Sequence, residues 1–363
     1  MNNSSPLKSF LAYLAVIGII GYGVYSFASD TIFKDYDEDH VVVHVDTDHH
    51  ESVEVKIEYS DSNDPTFVES FNMSSGDLDV LTSGGGITVE GHDGNKVEVQ
   101  VFVRKNGKVM AASDDVMKTL EDGFDMRIEK SGSTVYAHAK RKGNKMPWKR
   151  MSISFHVKAP HDIASKLRTS GGSIKISDLN GDQNLHTSGG SIHIDDIDGD
   201  VEAKTSGGSI NIEDVDGELQ AHTSGGSINI EGAVGNVEGR TSGGRINLEN
   251  VEGKRIDVRT SGGSIHIDGS AKFLKASTSG GSIEANVNGL SEELHLSTSG
   301  GSIRAKMPSE MGMDLDLKAN RVNADLKNFS GTAKKDFVQG EMNGGGMPVV
   351  MRTSGGSINI DFQ

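Results

Sequence analysis

The chain has 363 residues, no cysteine, 46 glycines against only 6 prolines, and a formal net charge of −16. Without cysteine there is no disulfide, thiolate zinc site or cysteine nucleophile, and so acidic a chain lacks the clustered positive potential that nucleic-acid backbones require. A hydrophobic content of 34% is low for one large compact core and favours an elongated or repetitive body, in which the glycines serve turns.

The first element is apolar. Ser9 to Ala28 reads "SFLAYLAVIGIIGYGVYSFA", preceded by Lys8 and followed by the acidic run "DTIFKDYDEDH". Twenty uncharged residues are enough to cross a bilayer, and the charge asymmetry favours a cytoplasmic residue 1 with everything after residue 30 exported. Residues 1–28 are therefore expected to be a membrane anchor, with a signal peptide cleaved after the small pair Ser26 and Ala28 as the alternative.

Residues 29–72 read as an exported linker and first strands, and residues 73–168 as a β-rich cap. "HVVVHVD", "SVEVKIEY", "KVEVQVFVRK", "FDMRIEK", "STVYAHAKRK" and "MSISFHVKAP" alternate apolar and polar residues, which predicts strands, and "DDVMKTLEDG" predicts a short helix. His49 and His50 beside Asp46 and Asp48 are the densest group of metal-ligating types, but they do not converge as a site would. No metal or cofactor is implied.

A repeat then takes over. The motif T-S-G-G-S/R-I begins at Thr169, Thr187, Thr205, Thr223, Thr241, Thr260, Thr278 and Thr298, and again at Thr353. Four intervals of 18 are followed by 19, 18 and 20, and an outlying "TSGGGI" begins at Thr82. A fixed period of this length is the mark of a solenoid. Four residues before the threonines stand Val201, Leu219, Val237, Ile256, Leu274 and Leu294; two before stand Leu185, Ala203, Ala221, Val258 and Leu296. Ile210 and Ile212, or Ile228 and Ile230, alternate after the glycines, and a further apolar residue such as Ile197 or Val215 follows a corner. Period two on both sides means two strands per repeat. "SGGS" and "NGD", "DGD" or "DGE" supply the turns, where glycine is expected to take positive φ. A meander of hairpins would fit the strand lengths, but the equivalence of the copies argues for parallel stacking at about 4.8 Å.

The expectation is an all-β fold, a parallel β-solenoid of about 18 residues per coil. The coils span residues 169–306, and residues 307–363 hold a degenerate coil, a loop and a terminal coil. Five buried aliphatics cannot offset the ordering of a whole coil, so coils must stabilise one another.

Within a coil the threonine is in phase with the inward residues. It is read as closing the turn from inside, against an exposed ice-binding array, which would need the opposite phase. Serines such as Ser188 and Ser206 recur in every coil without a fixed histidine partner, so they mark architecture rather than nucleophiles. "GGSINIEDV" departs from the calcium β-roll nonapeptide, and the acidic corners "DDIDGD" and "EDVDGE" read as solvated turns. One outward pattern stands apart. The residue before the threonine is Arg168, His186, Lys204, His222, Arg240, Arg259 and later Arg352, while eight after it lie Asp195, Glu213, Glu231, Glu249 and Asp268. If the coils are in register these form a basic and an acidic stripe. The basic stripe is the candidate binding face for an acidic glycan or envelope polymer, with solubilising surface charge as the bland alternative.

"FNMSSGDLDVLTSGGGITVEG", "ISFHVKAP" and the series beginning "KLRTSGGSI" occur in this order, and together they resemble the DUF4097 family of bacterial envelope proteins, described as candidate adhesins. The resemblance covers roughly residues 73 to 363. It implies a β-solenoid outside the cytoplasm, no enzyme activity and an adhesive role, with envelope-stress sensing through a partner protein in some members. It carries over no catalytic or binding residue. The resulting expectation is a non-enzymatic, exported or membrane-tethered module of the cell envelope. A stress sensor and a filament-forming scaffold are the alternatives.

Overall fold

The structure is a computed structural model. It describes the backbone of strands His40–Val45 and Val53–Glu58, and residues 64–143 and 151–363 in full. The apolar segment 9–28 and the His49/His50 group lie outside the described residues. Among the described residues no helix is long and apolar enough to cross a membrane.

The predicted strands form. The alternating segments become Lys96–Lys105, Phe124–Ser131, Thr134–Arg141 and Met151–Pro160. The one predicted helix is Asp114–Gly123. Ser113 caps it by accepting a hydrogen bond from the Val116 amide at 3.3 Å, Asp114 and Asp115 sit in its positive first turn, and Val116, Met117 and Leu120 are buried.

The repeat forms parallel coils. Thr169 pairs in register with Thr187, Val201 with Leu219, Ile210 with Ile228 and Ile265 with Ile283, so equivalent residues stack in columns. The column of Ile192, Ile210, Ile228, Ile246, Ile265, Ile283, Ile303 and Ile358 is at most 1% exposed throughout. Each such side chain is worth about 1.5 to 3 kcal/mol of burial, shared between neighbouring coils.

Turn chemistry divides differently from expectation. The glycines of the second turn, Gly181, Gly199, Gly217 and Gly235, do take positive φ. Those of the T-S-G-G turn do not, and close stacking explains the second of each pair instead. A Cβ on Gly208 would lie 2.1 Å from the carbonyl oxygen of Gly190, and one on Gly226 2.1 Å from that of Gly208. The second glycine of each motif is there because backbones touch. A third bend is unforeseen: Asp178, Asp196, Asp214, Gly232 and Asn250, nine after each threonine, take positive φ of 47 to 70°. Two consecutive residues then face outward, and Ile197 or Val215 returns to the core. Asp, Asn and Gly are the residues that tolerate this conformation.

The threonines close the turns from inside. Thr223 Oγ1 donates to the Gly208 carbonyl at 2.8 Å and accepts from the Gly226 amide at 3.3 Å, and the same pair recurs at Thr187, Thr205, Thr241, Thr260 and Thr278. One hydroxyl thus fixes its own turn and ties it to the coil before. The motif's second serine adds a ladder in which Ser209 Oγ accepts from the Ser227 amide and Ser191 Oγ from that of Ser209.

Stacking order departs from chain order at both ends. The Thr82 copy, strands Gly76–Thr82 and Ile87–His92, lies between Thr134–Arg141 with Met151–Pro160 on one side and Ile163–Thr169 with Ile174–Asn180 on the other. It forms a full coil within the region read as a cap that holds this early copy. At the far end the Thr353 copy is not the last coil. It lies between the Thr298 coil and the degenerate strands Met313–Lys318 and Arg321–Ala324, because its edges match both in register. Antiparallel strands finish the stack: Phe67–Asn72, Lys96–Lys105 and Phe124–Ser131 at one end, Phe329–Ala333 and Phe337–Met342 at the other. Such strands break the coil register and blunt the edges of a solenoid.

Candidate functional site

The residue before each motif threonine faces outward because the threonine faces inward. Parallel register puts Arg168, His186, Lys204, His222, Arg240 and Arg259 in one file, one per coil, which Ser277, Ser297 and Arg352 continue. The positions of the file repeat at the strand spacing of about 4.8 Å, with its permanent cations Arg168, Lys204, Arg240 and Arg259 one or two coils apart.

Carboxylates two residues earlier on the same face partner the file. Arg240 Nη2 lies 3.0 Å from Glu238, Arg259 Nε 3.2 Å from Asp257, and Lys204 pairs with Glu202. Arg168 reaches Asp79 at 2.9 Å, and Arg352 reaches Asp316 at 2.6 Å. The Lys204 hydrogen bond holds the Glu202 carboxyl below the usual range, and Asp257 raises Arg259. His222 Nε2 is 3.4 Å from Glu238, but burial pushes its pKa below the usual imidazole value, and the neighbouring charges of Arg240 and Lys204 push the same way. These acids are the functional neighbours that sequence reading missed. Their signal was the Glu or Asp two places before Lys204, Arg240 and Arg259.

On the other side of the file from these acids the surface is different. A groove of about 690 Å³ runs along the T-S-G-G edge. Lys204, His222, Arg240 and Arg259 form one wall; the motif hydroxyls, such as Ser224 and Ser242, line the rest. No carboxylate lines it, in a chain of net charge −16. The cation side chains keep about half of their surface open, with Lys204 at 45%, Arg240 at 48% and Arg259 at 46%. Six coils contribute, so the groove is about 25 Å long at strand spacing. Arg168 and His186 lie in the same file but outside the groove lining. The first serines of five motifs, Ser224, Ser242, Ser261, Ser279 and Ser299, of a type read from sequence as architecture alone, therefore also furnish hydroxyls to an open surface.

The acidic stripe forms over four coils, Asp195, Glu213, Glu231 and Glu249 being in register. Asp268 does not continue it. The register shifts between Leu248 and Val251, and Asp268 instead accepts a hydrogen bond from Asn286 Nδ2 at 2.8 Å. Beside the stripe Asn211, Asn229 and Asn247 stack, with Asn229 Nδ2 donating to Asn211 Oδ1 at 2.8 Å. At the second turn the acidic corners serve backbone: Asp200 Oδ1 accepts from the Glu218 amide at 2.8 Å. Among the described residues no three metal-ligating side chains converge.

A family model described as Toastrack DUF4097 matches residues 42–361. Among solved structures, the chain is similar to a candidate adhesin from Parabacteroides distasonis ATCC 8503, at 13% identity and a TM-score of 0.39 over 81% of this chain and 96% of that one. A candidate adhesin from Bacteroides fragilis NCTC 9343 is 14% identical, with a TM-score of 0.30 over 81% and 96%. A candidate lipid-binding protein from P. distasonis is 15% identical, with a TM-score of 0.29 over 82% and 97%. None of the curated proteins matches the chain.

Proposed function

The chain belongs to the Toastrack DUF4097 family, and from that premise we propose that it works without catalysis, as a β-solenoid of the cell envelope that holds an extended acidic polymer along its T-S-G-G edge. Residues 9–28 tether or export it. The observation that carries this reading is the groove between the cation file and the motif hydroxyls, from which every carboxylate is excluded. A chain repelling polyanions overall would need such a local inversion to bind one. The regular spacing suits a ligand whose charges also repeat, an acidic glycan or an envelope polymer, better than a compact small molecule. The paired carboxylates beside Lys204, Arg240 and Arg259 hold the cations in place before binding, which lowers the ordering cost. Because the stack ends in antiparallel strands rather than open coil edges, a monomeric rod fits this reading better than a filament.

The test is binding of residues 30–363 to an acidic-glycan array with a salt titration. Lys204→Gln, Arg240→Gln and Arg259→Gln together should lower affinity by about tenfold or more and flatten the salt dependence, as loss of solvent-exposed, salt-screened charge contacts does. Charge reversal at Arg168, Lys204, Arg240 and Arg259 should abolish binding. Unchanged retention by both variants would refute the groove as the binding face.

A further inference from the structure

The last copy of the motif is seated out of order, and its seat is complete without it. Strands Met347–Thr353 and Ser357–Phe362 pair in parallel with the Thr298 coil on one side and with Met313–Lys318 and Arg321–Ala324 on the other. These two hosts follow one another in sequence, yet among the described strands their registers run to Met347–Thr353 and Ser357–Phe362 and not to each other. Every host group is in place before residue 347 on a chain made from its N-terminus. Until the tail arrives, two parallel strand edges face each other across a gap one strand wide, and neither can be satisfied by its own coil.

The tail fills that gap with contacts of the repeat. Thr353 Oγ1 donates to the Gly301 carbonyl at 2.6 Å, the Ser357 amide donates to Ser302 Oγ at 3.1 Å, and Val349, Met351 and Ile358 are fully buried. Nothing in this fit depends on which chain supplies the strands. The link that delivers them is Asn343–Gly346, four successive residues of positive φ, three of them glycine, arching over Gly312. There Asn343 Nδ2 donates to the Met311 carbonyl at 3.0 Å and the Met347 amide to that of Gly312 at 3.1 Å.

We propose that residues 347–363 are an exchangeable donor, able to fill the equivalent gap in a second copy of this chain through the Asn343–Gly346 hinge and so to join two solenoids by reciprocal exchange. Closure within one chain wins at low concentration because the hinge keeps the tail close; exchange gains as chains are crowded during refolding or export.

The chain has no cysteine, which makes the test direct. Ser297 and Arg352 are register partners on adjacent strands, so their Cα atoms, about 4.8 Å apart, fall within disulfide range. Full-length chain carrying Ser297→Cys and Arg352→Cys, refolded in detergent and then oxidised, should give cross-linked monomer when dilute and a cross-linked dimer fraction that rises with concentration. Deleting Gly344 and Gly345 should raise the dimer-to-monomer ratio by about tenfold or more, because the shortened link cannot span Gly312 within one chain. Adding Gly356→Ala, whose Cβ would lie 2.2 Å from the Gly301 carbonyl oxygen, should suppress both products. Monomer alone at every concentration overturns the proposal, and so does a dimer that persists with Gly356→Ala. Should the deletion fail to fold, the double-cysteine chain decides by itself.

Discussion

Gly225 and Gly226 are adjacent, belong to the same turn and are chemically identical, yet alanine should be nearly neutral at the first and costly at the second. A Cβ on Gly226 meets the Gly208 carbonyl at 2.1 Å from oxygen and 2.4 Å from carbon, and the Ser209 nitrogen at 2.6 Å. All three are backbone, so relief requires the coils to part by about 1 Å at this edge, beyond useful hydrogen-bond length. The bonds lost first are Thr223 Oγ1 to the Gly208 carbonyl, the Ser227 amide to Ser209 Oγ, and the Gly225 amide to the Ser206 carbonyl. At about 1 kcal/mol each, and more where a buried group is left unpaired, Gly226→Ala should cost about 3 to 5 kcal/mol. A Cβ on Gly225 lies 3.3 Å from the nearest atom, the Gly207 carbonyl oxygen, and φ there is not positive. Its tight contact should be roughly offset by the reduced freedom of the unfolded chain, worth about 0.4 to 1 kcal/mol, leaving Gly225→Ala within about 1 kcal/mol of the parent. Urea unfolding followed by circular dichroism measures both, with amide exchange at Ser209 and Ser227 as the local readout. Equal midpoints for the two variants would refute the stacking argument.

Thr223→Val, which keeps shape but strands the Gly208 carbonyl, should cost about 1 to 3 kcal/mol in the same assay, whereas Ser224→Ala in the open turn should cost under about 0.5 kcal/mol. Arg245 replaces the ladder serine of its coil while its amide still donates to Ser227 Oγ; Arg245→Ser should restore the ladder and stabilise by about 0.5 to 1 kcal/mol. Burial depresses the His222 pKa below that of the unfolded chain, so the stability it contributes is complete above about pH 6.5 and declines as pH falls through the lower folded value. His222→Gln should therefore flatten the acid limb of the stability-versus-pH curve. An anionic occupant of the groove favours the protonated ring, so polyanion binding should strengthen from pH 7 toward 5.5 in the parent and less in His222→Gln, measured by titration at fixed ionic strength.

Much of the body was legible because period and phase are redundant. The paired isoleucines at 210 and 212 repeat coil after coil, and one phase assignment puts Thr205 inside and Lys204 outside together. The cation file followed from that phase alone. Its neutralising partners did not, since an ion pair depends on which outward neighbours the side chains reach. The glycine reading went astray because sequence shows that a side chain is forbidden without showing why: steric contact with the coil below and positive φ leave the same letter. Gln183 also hid in plain view. It occupies an aliphatic column and is satisfied by Ser165 Oγ and the carbonyls of Ile163 and Gly181, a match visible only once coils are stacked. Stacking order at the ends was illegible for a deeper reason. Every copy presents equivalent edges, so the repeat that specifies register so firmly says little about which copy follows which.

Between each motif threonine and the isoleucine that follows the glycines there are always five steps, from Thr82 to Ile87 through Thr353 to Ile358. The added residues of the longer coils fall near Lys254 and between Asn288 and Glu293, on the opposite margin, where the second turn lies. The rod is thus bound like a book, with a spine of touching glycines that admits no extra leaf and a fore-edge that can be cut unevenly. Foreign loops spliced at Ser291 should be displayed on that fore-edge without disturbing the pages, and whatever the spine grips will find the same ruled spacing on every one.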